Sequence, residues 1–495
     1  MKITLFQLYL LFIFTVIHIV IYSNIVPLYH EEPRRALIAE EMLLSKNFIK
    51  PTVLKETYLK KPPFQQWCIA LTSLGDKYIS NFEARLPSIL SYILLTISLF
   101  ILLPTIEQSI EATIYVLLSL GFLFSYAGKA EPDMLFSALF FLSFFFYIKG
   151  TNTIISTFVS SLCMALSILT KGISPIFFYP PILISILFFE SSKKNKLKSL
   201  LIHFLLSTVF PALWILLLSM QIDIKSFFYT TYEEMFFRSS FNYKNYVAHL
   251  FSFPFKIILA TVPSSLLLIF RFKRQNFFNN RIYVYAIFIF LWIMSLLWAY
   301  PFGSGRYFLP AIPFLCIVAS YHIDKQKSFN ITLKKIILFI FALSLIIGIP
   351  FYFFKGFYIQ TIIFIIILIF IFYYYKKSSL NLLADTIILM SIYTVIFFHG
   401  PYFYKTKAYF DYNKKFSDVV NVINTLKYPI YFYVTTKDDI KLAFFITRNI
   451  KQPIGVLNKK ENNNYFLLTY NSQKNCKILD IATYKNKNLL FYKCY

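Results

Sequence analysis

The chain is 495 residues long, 58% hydrophobic and 20% aromatic, with a formal net charge of +26 and a mean hydropathy of +0.61. A soluble domain of this size has no use for so much apolar surface. The apolar residues fall in unbroken runs rather than alternating ones, which sets aside a β-barrel as well. The surplus Lys and Arg sit in short loops between those runs, the pattern of membrane orientation and of contact with anionic headgroups, so nucleic acid is not the expected partner.

The first run, Ile3 to Tyr22, follows Lys2, lacks a small-x-small cleavage site and reads as an uncleaved membrane span. Directly after it comes Tyr29-His30-Glu31-Glu32-Pro33-Arg34-Arg35. Pro33 suits the first position of a helix, and residues 33–44 are predicted to form a short helix along the interface, with Ala36, Leu37, Ile38, Met42 and Leu43 apolar. Pro51 and the pair Pro62-Pro63 forbid one long helix through this loop. The loop closes on Tyr58-Leu59-Lys60-Lys61-Pro62-Pro63-Phe64. Charges are expensive in hydrocarbon unless they face water, a partner or a cavity, so this concentration of acids, arginines and lysines points to a site at the membrane–water boundary.

Further apolar runs lie at 86–104, 110–127, 133–149, 154–170, 173–189, 200–220, 253–270, 282–300, 307–322, 335–353, 357–375 and 381–399. With the first they make about thirteen transmembrane helices by the criterion of roughly 20 residues. With the N-terminus cytoplasmic, the clusters Lys193/Lys194/Lys196/Lys198, Arg271/Lys273/Arg274/Arg281, Lys325/Lys327/Lys334/Lys335 and Lys376/Lys377 all fall inside, as the orientation rule demands. The opening loop is basic on the outer side, which reads as charge kept for substrate. An odd number of spans puts the tail outside. There Phe416, Val419, Val420, Ile423 and Leu426 have helical spacing, while Tyr431–Val434, Tyr465–Leu468 and Leu489–Tyr492 read as strands. The expected organisation is a transmembrane domain over 1–400, with an outer loop over 27–85, and a small α/β domain over 401–495.

Several constellations carry candidate chemistry. A carboxylate of the Glu31/Glu32 pair takes a proton in an inverting group transfer, or else serves the N-terminus of the helix that Pro33 opens. Arg34 and Lys61 hold a phosphate, or else anchor headgroups. Glu131-Pro132-Asp133-Met134 stands in an outer turn on the same side as Glu31. Lys171-Gly172 opens a run from that side, and Arg306-Tyr307-Phe308-Leu309-Pro310 another; both cations are candidate phosphate contacts or anchors. The outer loop 221–252 carries Glu233, Glu234, Arg238 and His249. No ligand spacing argues for a metal, and a divalent ion is left open. Of the five cysteines, Cys68, Cys163 and Cys316 read as packing residues; whether Cys476 and Cys494 are bonded is left open.

Taken in order, these pieces resemble the bacterial aminoarabinose (lipid A) transferases and the related dolichyl-phosphate-mannose protein mannosyltransferases, which share the C-type glycosyltransferase fold. The resemblance is carried by Glu31-Glu32-Pro33-Arg34, Glu41-Met42-Leu43, Lys61-Pro62-Pro63, Arg85-Leu86-Pro87-Ser88, Asp133-Met134, Lys171-Gly172 and Arg306-Tyr307 through Pro310, over about residues 1–320. In that family the first acid is usually Asp, and here it is Glu31, one methylene longer. The resemblance implies a glycosyltransferase of the bacterial inner membrane, pentosyl- or hexosyl-transferring. Its donor would be a sugar on a polyprenyl phosphate such as undecaprenyl phosphate, and its acceptor lipid A or a similar envelope molecule on the periplasmic face. Carried over, Glu31, Glu32 and Asp133 are the catalytic or acceptor-side acids, and Arg34, Lys61, Lys171 and Arg306 bind the donor phosphate. A protein acceptor is the alternative, as is a transporter of lipid-linked sugars. The transporter reading lacks repeated halves and mid-membrane broken helices. A purely structural membrane protein would leave the outer charges without a role.

Overall fold

The structure, a computed structural model, describes residues 28–105, 126–149, 154–172, 174–189, 193–236, 243–260, 280–300 and 305–321, five strands within 430–494 and a few isolated positions. Most of the runs Ile3–Tyr22, 110–127 and 357–375, the second half of 253–270, the runs 335–353 and 381–399, Arg238, and the helical pattern from Phe416 to Leu426 lie outside the described residues.

Helix α1 spans Glu32–Ser45, close to the predicted 33–44, and ends at Lys46 in the left-handed conformation. It does not expose the polar face of an interfacial helix: Glu32, Pro33 and every residue from Arg35 to Met42 are buried. It can be enclosed because its polar groups find partners inside the fold. Glu40 accepts from the backbone N–H of Ile79 at 2.9 Å, and Arg35 donates to the Tyr58 hydroxyl at 3.0 Å. Glu41 accepts from Thr52 Oγ1 at 2.5 Å and from the Lys55 N–H at 3.1 Å. That last bond steadies a two-residue turn in which Leu54 and Lys55 both have positive φ, between strands β1 (Thr52–Val53) and β2 (Glu56–Thr57).

Helix α2 (Phe64–Thr72) starts at the proline pair. Helix α3 (Asn81–Thr105) begins five residues before its apolar run, because Ser80 and Glu83 form a reciprocal cap. The Glu83 N–H donates to Ser80 Oγ at 3.1 Å, and the Ser80 N–H donates to Glu83 Oε2 at 2.6 Å. Helices α4 (Pro132–Lys149) and α5 (Ile154–Lys171) form an antiparallel pair. In α4, Phe136, Phe140, Phe141 and Phe144 are fully buried and meet Phe178 and Phe314 at ring separations of 5.1–6.2 Å, so α4 is the central helix of the bundle.

Helices α6 (Ser174–Phe189) and α7 (Lys193–Ser219) join this core through buried polar bonds of the kind that hold helices together in an apolar medium. His203 on α7 bonds Ser160 Oγ of α5 at 2.9 Å and the Tyr179 hydroxyl of α6 at 2.6 Å. The expected loop 221–252 instead contains α8 (Ile224–Phe236) and the first half of α9 (Tyr243–Ala260). Helix α10 (Arg281–Ala299) is capped by the Asn280 side chain. The run 307–322 divides into a 3-10 turn, Gly305–Ala311, and α11 (Ile312–Tyr321); Pro310, which lacks an N–H, stands in the turn. Among the described residues four helices are long and apolar enough to cross a membrane, and four shorter apolar helices accompany them.

The tail contains a five-stranded sheet in the order β4-β3-β5-β7-β6, with β3 Ile430–Phe432, β4 Ile454–Val456, β5 Tyr465–Thr469, β6 Cys476–Tyr484 and β7 Lys487–Cys494. β3 runs parallel to β4 and β5, and β7 antiparallel to β5 and β6.

Candidate functional site

Four chain segments bring their charges to one place: the start of α1, the Lys61-Pro62-Pro63 corner, the turn before α4 with the end of α5, and the 3-10 turn at Arg306. The antiparallel α4/α5 pair supplies its centre. Asp133 lies in the first turn of α4 and Lys171 in the last turn of α5, each where the helix dipole favours its sign, and Lys171 Nζ stands 2.7 Å from Asp133 Oδ1. Lys171 also lies 4.3 Å from the Tyr307 ring centre and 4.9 Å from that of Phe136, which fixes its ammonium between two aromatic faces.

Arg306 joins from the 3-10 turn. Its Nη1 donates to Glu131 Oε2 at 2.8 Å and its Nε lies 3.7 Å from Asp133 Oδ2. Lys61 acts electrostatically on Asp133. The corner carrying Lys61 is held by close packing, since a Cβ built on Gly172 would come within 3.3 Å of Pro62 Cδ. Gly172 has φ +77, a conformation that side chains disfavour. Gly172→Ala is therefore expected to lower stability by about 1 kcal/mol or more and to displace the corner that carries Lys61. Thermal melting checks it.

At the start of α1 the two acids separate into different roles. Glu31 makes no side-chain cap; its carboxylate binds Arg34 at 2.5 Å, and both side chains keep partial exposure. Glu32 is enclosed, at 1% exposure, and all its bonding positions are occupied. Arg85 Nε and Nη2 each donate to it at 2.9 Å, the Ala130 N–H at 2.7 Å and the Tyr29 N–H at 3.0 Å. Arg85 also donates to the carbonyls of Ser23, at 3.1 Å, and Val26. Glu32 thus ties the loop to α3 and to the turn before α4. Arg35 bridges the two halves of the cluster electrostatically, interacting with both Glu131 and Glu31.

Glu131 is the acid that the sequence quoted without a role. Burial first, and then the charges of Asp133 and Glu32, push its carboxyl up to about 7 against the pull of Arg306 and Arg35. The folded chain holds this proton to a higher pH than the unfolded chain, whose carboxyl titrates near 4.5. Glu131 therefore contributes least to destabilisation below about 4.5, and stability falls as the pH rises through about 7. In Glu131→Gln the melting temperature should vary less between about pH 5 and pH 8 than in the parent, as a thermal-shift series will measure.

The sequence-predicted residues Glu31, Arg34, Lys61, Asp133, Lys171 and Arg306 thus share one cluster, to which the structure adds Arg35, Glu131 and Tyr307. Five cations (Arg34, Arg35, Lys61, Lys171, Arg306) face three carboxylates (Glu31, Glu131, Asp133), a surplus suited to a phosphate-bearing ligand. Of the residues in the expected outer loop, Glu234 lies 3.5 Å from Lys60, and His249 Nε2 bonds the Leu297 carbonyl at 3.2 Å. Among the described residues no group of three or more His, Cys, Asp or Glu side chains gathers.

No family model and no curated protein matches the chain. Two crystal structures of ArnT from Cupriavidus metallidurans share its fold. The apo state matches with a TM-score of 0.73 at 15% identity, over 98% of this chain and 97% of that one. The form bound to undecaprenyl phosphate matches with a TM-score of 0.72 at 16% identity, over the same shares.

Proposed function

We propose that this protein is an integral membrane glycosyltransferase that moves a sugar from a polyprenyl phosphate to lipid A or a similar envelope acceptor. In this reading it is a multi-pass protein of the bacterial inner membrane, its N-terminus cytoplasmic and the tail beyond residue 400 periplasmic. The observation that carries it is the convergence of Lys61, Lys171, Arg34 and Arg306 with Glu31, Glu131 and Asp133. That cluster is built on the fold of a protein whose crystal structure contains undecaprenyl phosphate.

The acceptor oxygen attacks the anomeric carbon, and the bond from that carbon to the phosphate oxygen breaks. The polyprenyl phosphate leaves with an added negative charge, and cations fixed in advance lower the barrier by meeting it. Lys61 and Arg34 hold the phosphate. Asp133 and Glu131 keep Lys171 and Arg306 aimed at it, which makes Asp133 a positioning residue. Glu31 takes the proton of a hydroxyl acceptor; toward an acceptor phosphate, already ionised, it orients the nucleophile. Glu32, saturated by Arg85 and backbone donors, positions the loop.

Mass spectrometry of lipid A from cells with and without the protein, complemented by the parent or by Asp133→Ala, tests the reading. Loss of one sugar mass in the deletion, restored by the parent and not by the variant, is the expected result. An unchanged lipid A profile would overturn lipid A as acceptor and redirect the search to protein or glycan acceptors.

A further inference from the structure

We propose that Cys476 and Cys494 are joined by a disulfide that staples the edge of the C-terminal sheet. In the antiparallel pair β6/β7 the register sets Cys476 directly opposite Cys494, at the open end of a hairpin whose turn lies between Tyr484 and Lys487. Directly opposed residues of such a ladder have Cα atoms about 4.5 or 5.5 Å apart, according to whether the pair exchanges hydrogen bonds. Both spacings lie within the range of about 4.4–6.8 Å that a disulfide spans. No other cysteine follows Cys316 in the chain, so these two have only each other within the tail.

The position also gives the bond a task. Among the described residues β6 is an edge strand with β7 as its sole neighbour, and the ladder between them shifts register between Ile478 and Asp480, two residues from Cys476. Such an irregularity loosens pairing at the strand end, and a one-residue slip would turn every side chain beyond it to the opposite face. A covalent link at Cys476 and Cys494 holds the register across the irregularity. In forming it the two thiols lose two protons and two electrons, which pass to a disulfide-carrying protein of the outer compartment; that protein is reduced to its dithiol. The inference rests on the proposed placement of the tail outside, since the cytosol keeps thiols reduced.

Full-length protein, quenched with acid on cell lysis and alkylated while denatured, is weighed intact. Of the five cysteines, three alkyl groups are expected without reductant and five after reduction. Five groups without reductant would overturn the disulfide. Labelling of spheroplasts with a membrane-impermeant maleimide, read at the C-terminal fragment, separates this from failure of the topology. If the bond exists, Cys494 in Cys476→Ser is labelled at once, and in the parent only after reduction, with Cys494→Ser giving the converse at Cys476. Immediate labelling of the parent at Cys494 would sink the disulfide and leave the tail outside. Labelling only after lysis would sink both.

Discussion

Alanine at Arg85 is expected to lower stability by about 3–5 kcal/mol and to abolish a folded product at ordinary growth temperature. Both Arg85 and Glu32 are wholly enclosed, and the guanidinium meets the carboxylate through two parallel bonds. Removing one partner strands a buried charge, whose desolvation no water repays. Lysine should not rescue, because a single ammonium cannot serve the carboxylate and the Ser23 and Val26 carbonyls together. Replacing both partners by methionine should recover part of the loss. It will not recover all, since the Tyr29 and Ala130 N–H groups also donate to Glu32. Yield and thermal melting in detergent read this directly; a fully stable Arg85→Ala would show that Glu32 is not the tie between loop and bundle.

The second large effect is on activity alone. In the proposed transfer from a polyprenyl-phosphate sugar, Lys61→Ala should reduce kcat/KM by roughly 10²–10³-fold, the usual loss when one preset charge-stabilising donor is removed. Its melting temperature should stay near that of the parent. Lys61 is only partly buried, and the Pro62 ring beside it packs against Gly172. Its greater exposure makes Lys61 a cleaner probe than Lys171 or Asp133, a buried pair 2.7 Å apart in which removing one member strands the charge of the other. Retained turnover in a well-folded Lys61→Ala would end the assignment of Lys61 to the donor phosphate.

How the two acids at the start of α1 divide their roles shows where sequence reading stops. Glu31 and Glu32 are adjacent and of one type, so spacing gives both the same candidacy. One turns to Arg34, three residues on, and the other to Arg85, 53 residues away. Glu131 lay in plain view two residues before Asp133, yet its raised proton affinity arises from enclosure and from the charges of Asp133 and Glu32, against the pull of Arg306, 175 residues distant. The short cap that starts α3 is legible in the sequence as Ser80 followed three residues later by Glu83.

The sequence by itself determined the helical membrane class, since unbroken apolar runs have few other stable solutions. It also fixed the extent of α1, through Pro33, and the motifs that carry the charges. Those charges stand at helix ends because chains place them where hydrocarbon gives way to water, so their position is a local property that hydropathy records. Which acid binds which cation, and which of them is enclosed, depends on how α1, α4, α5 and the turn at Arg306 pack around one another. Burial and distance set those interactions, and neither quantity exists until the helices are assembled.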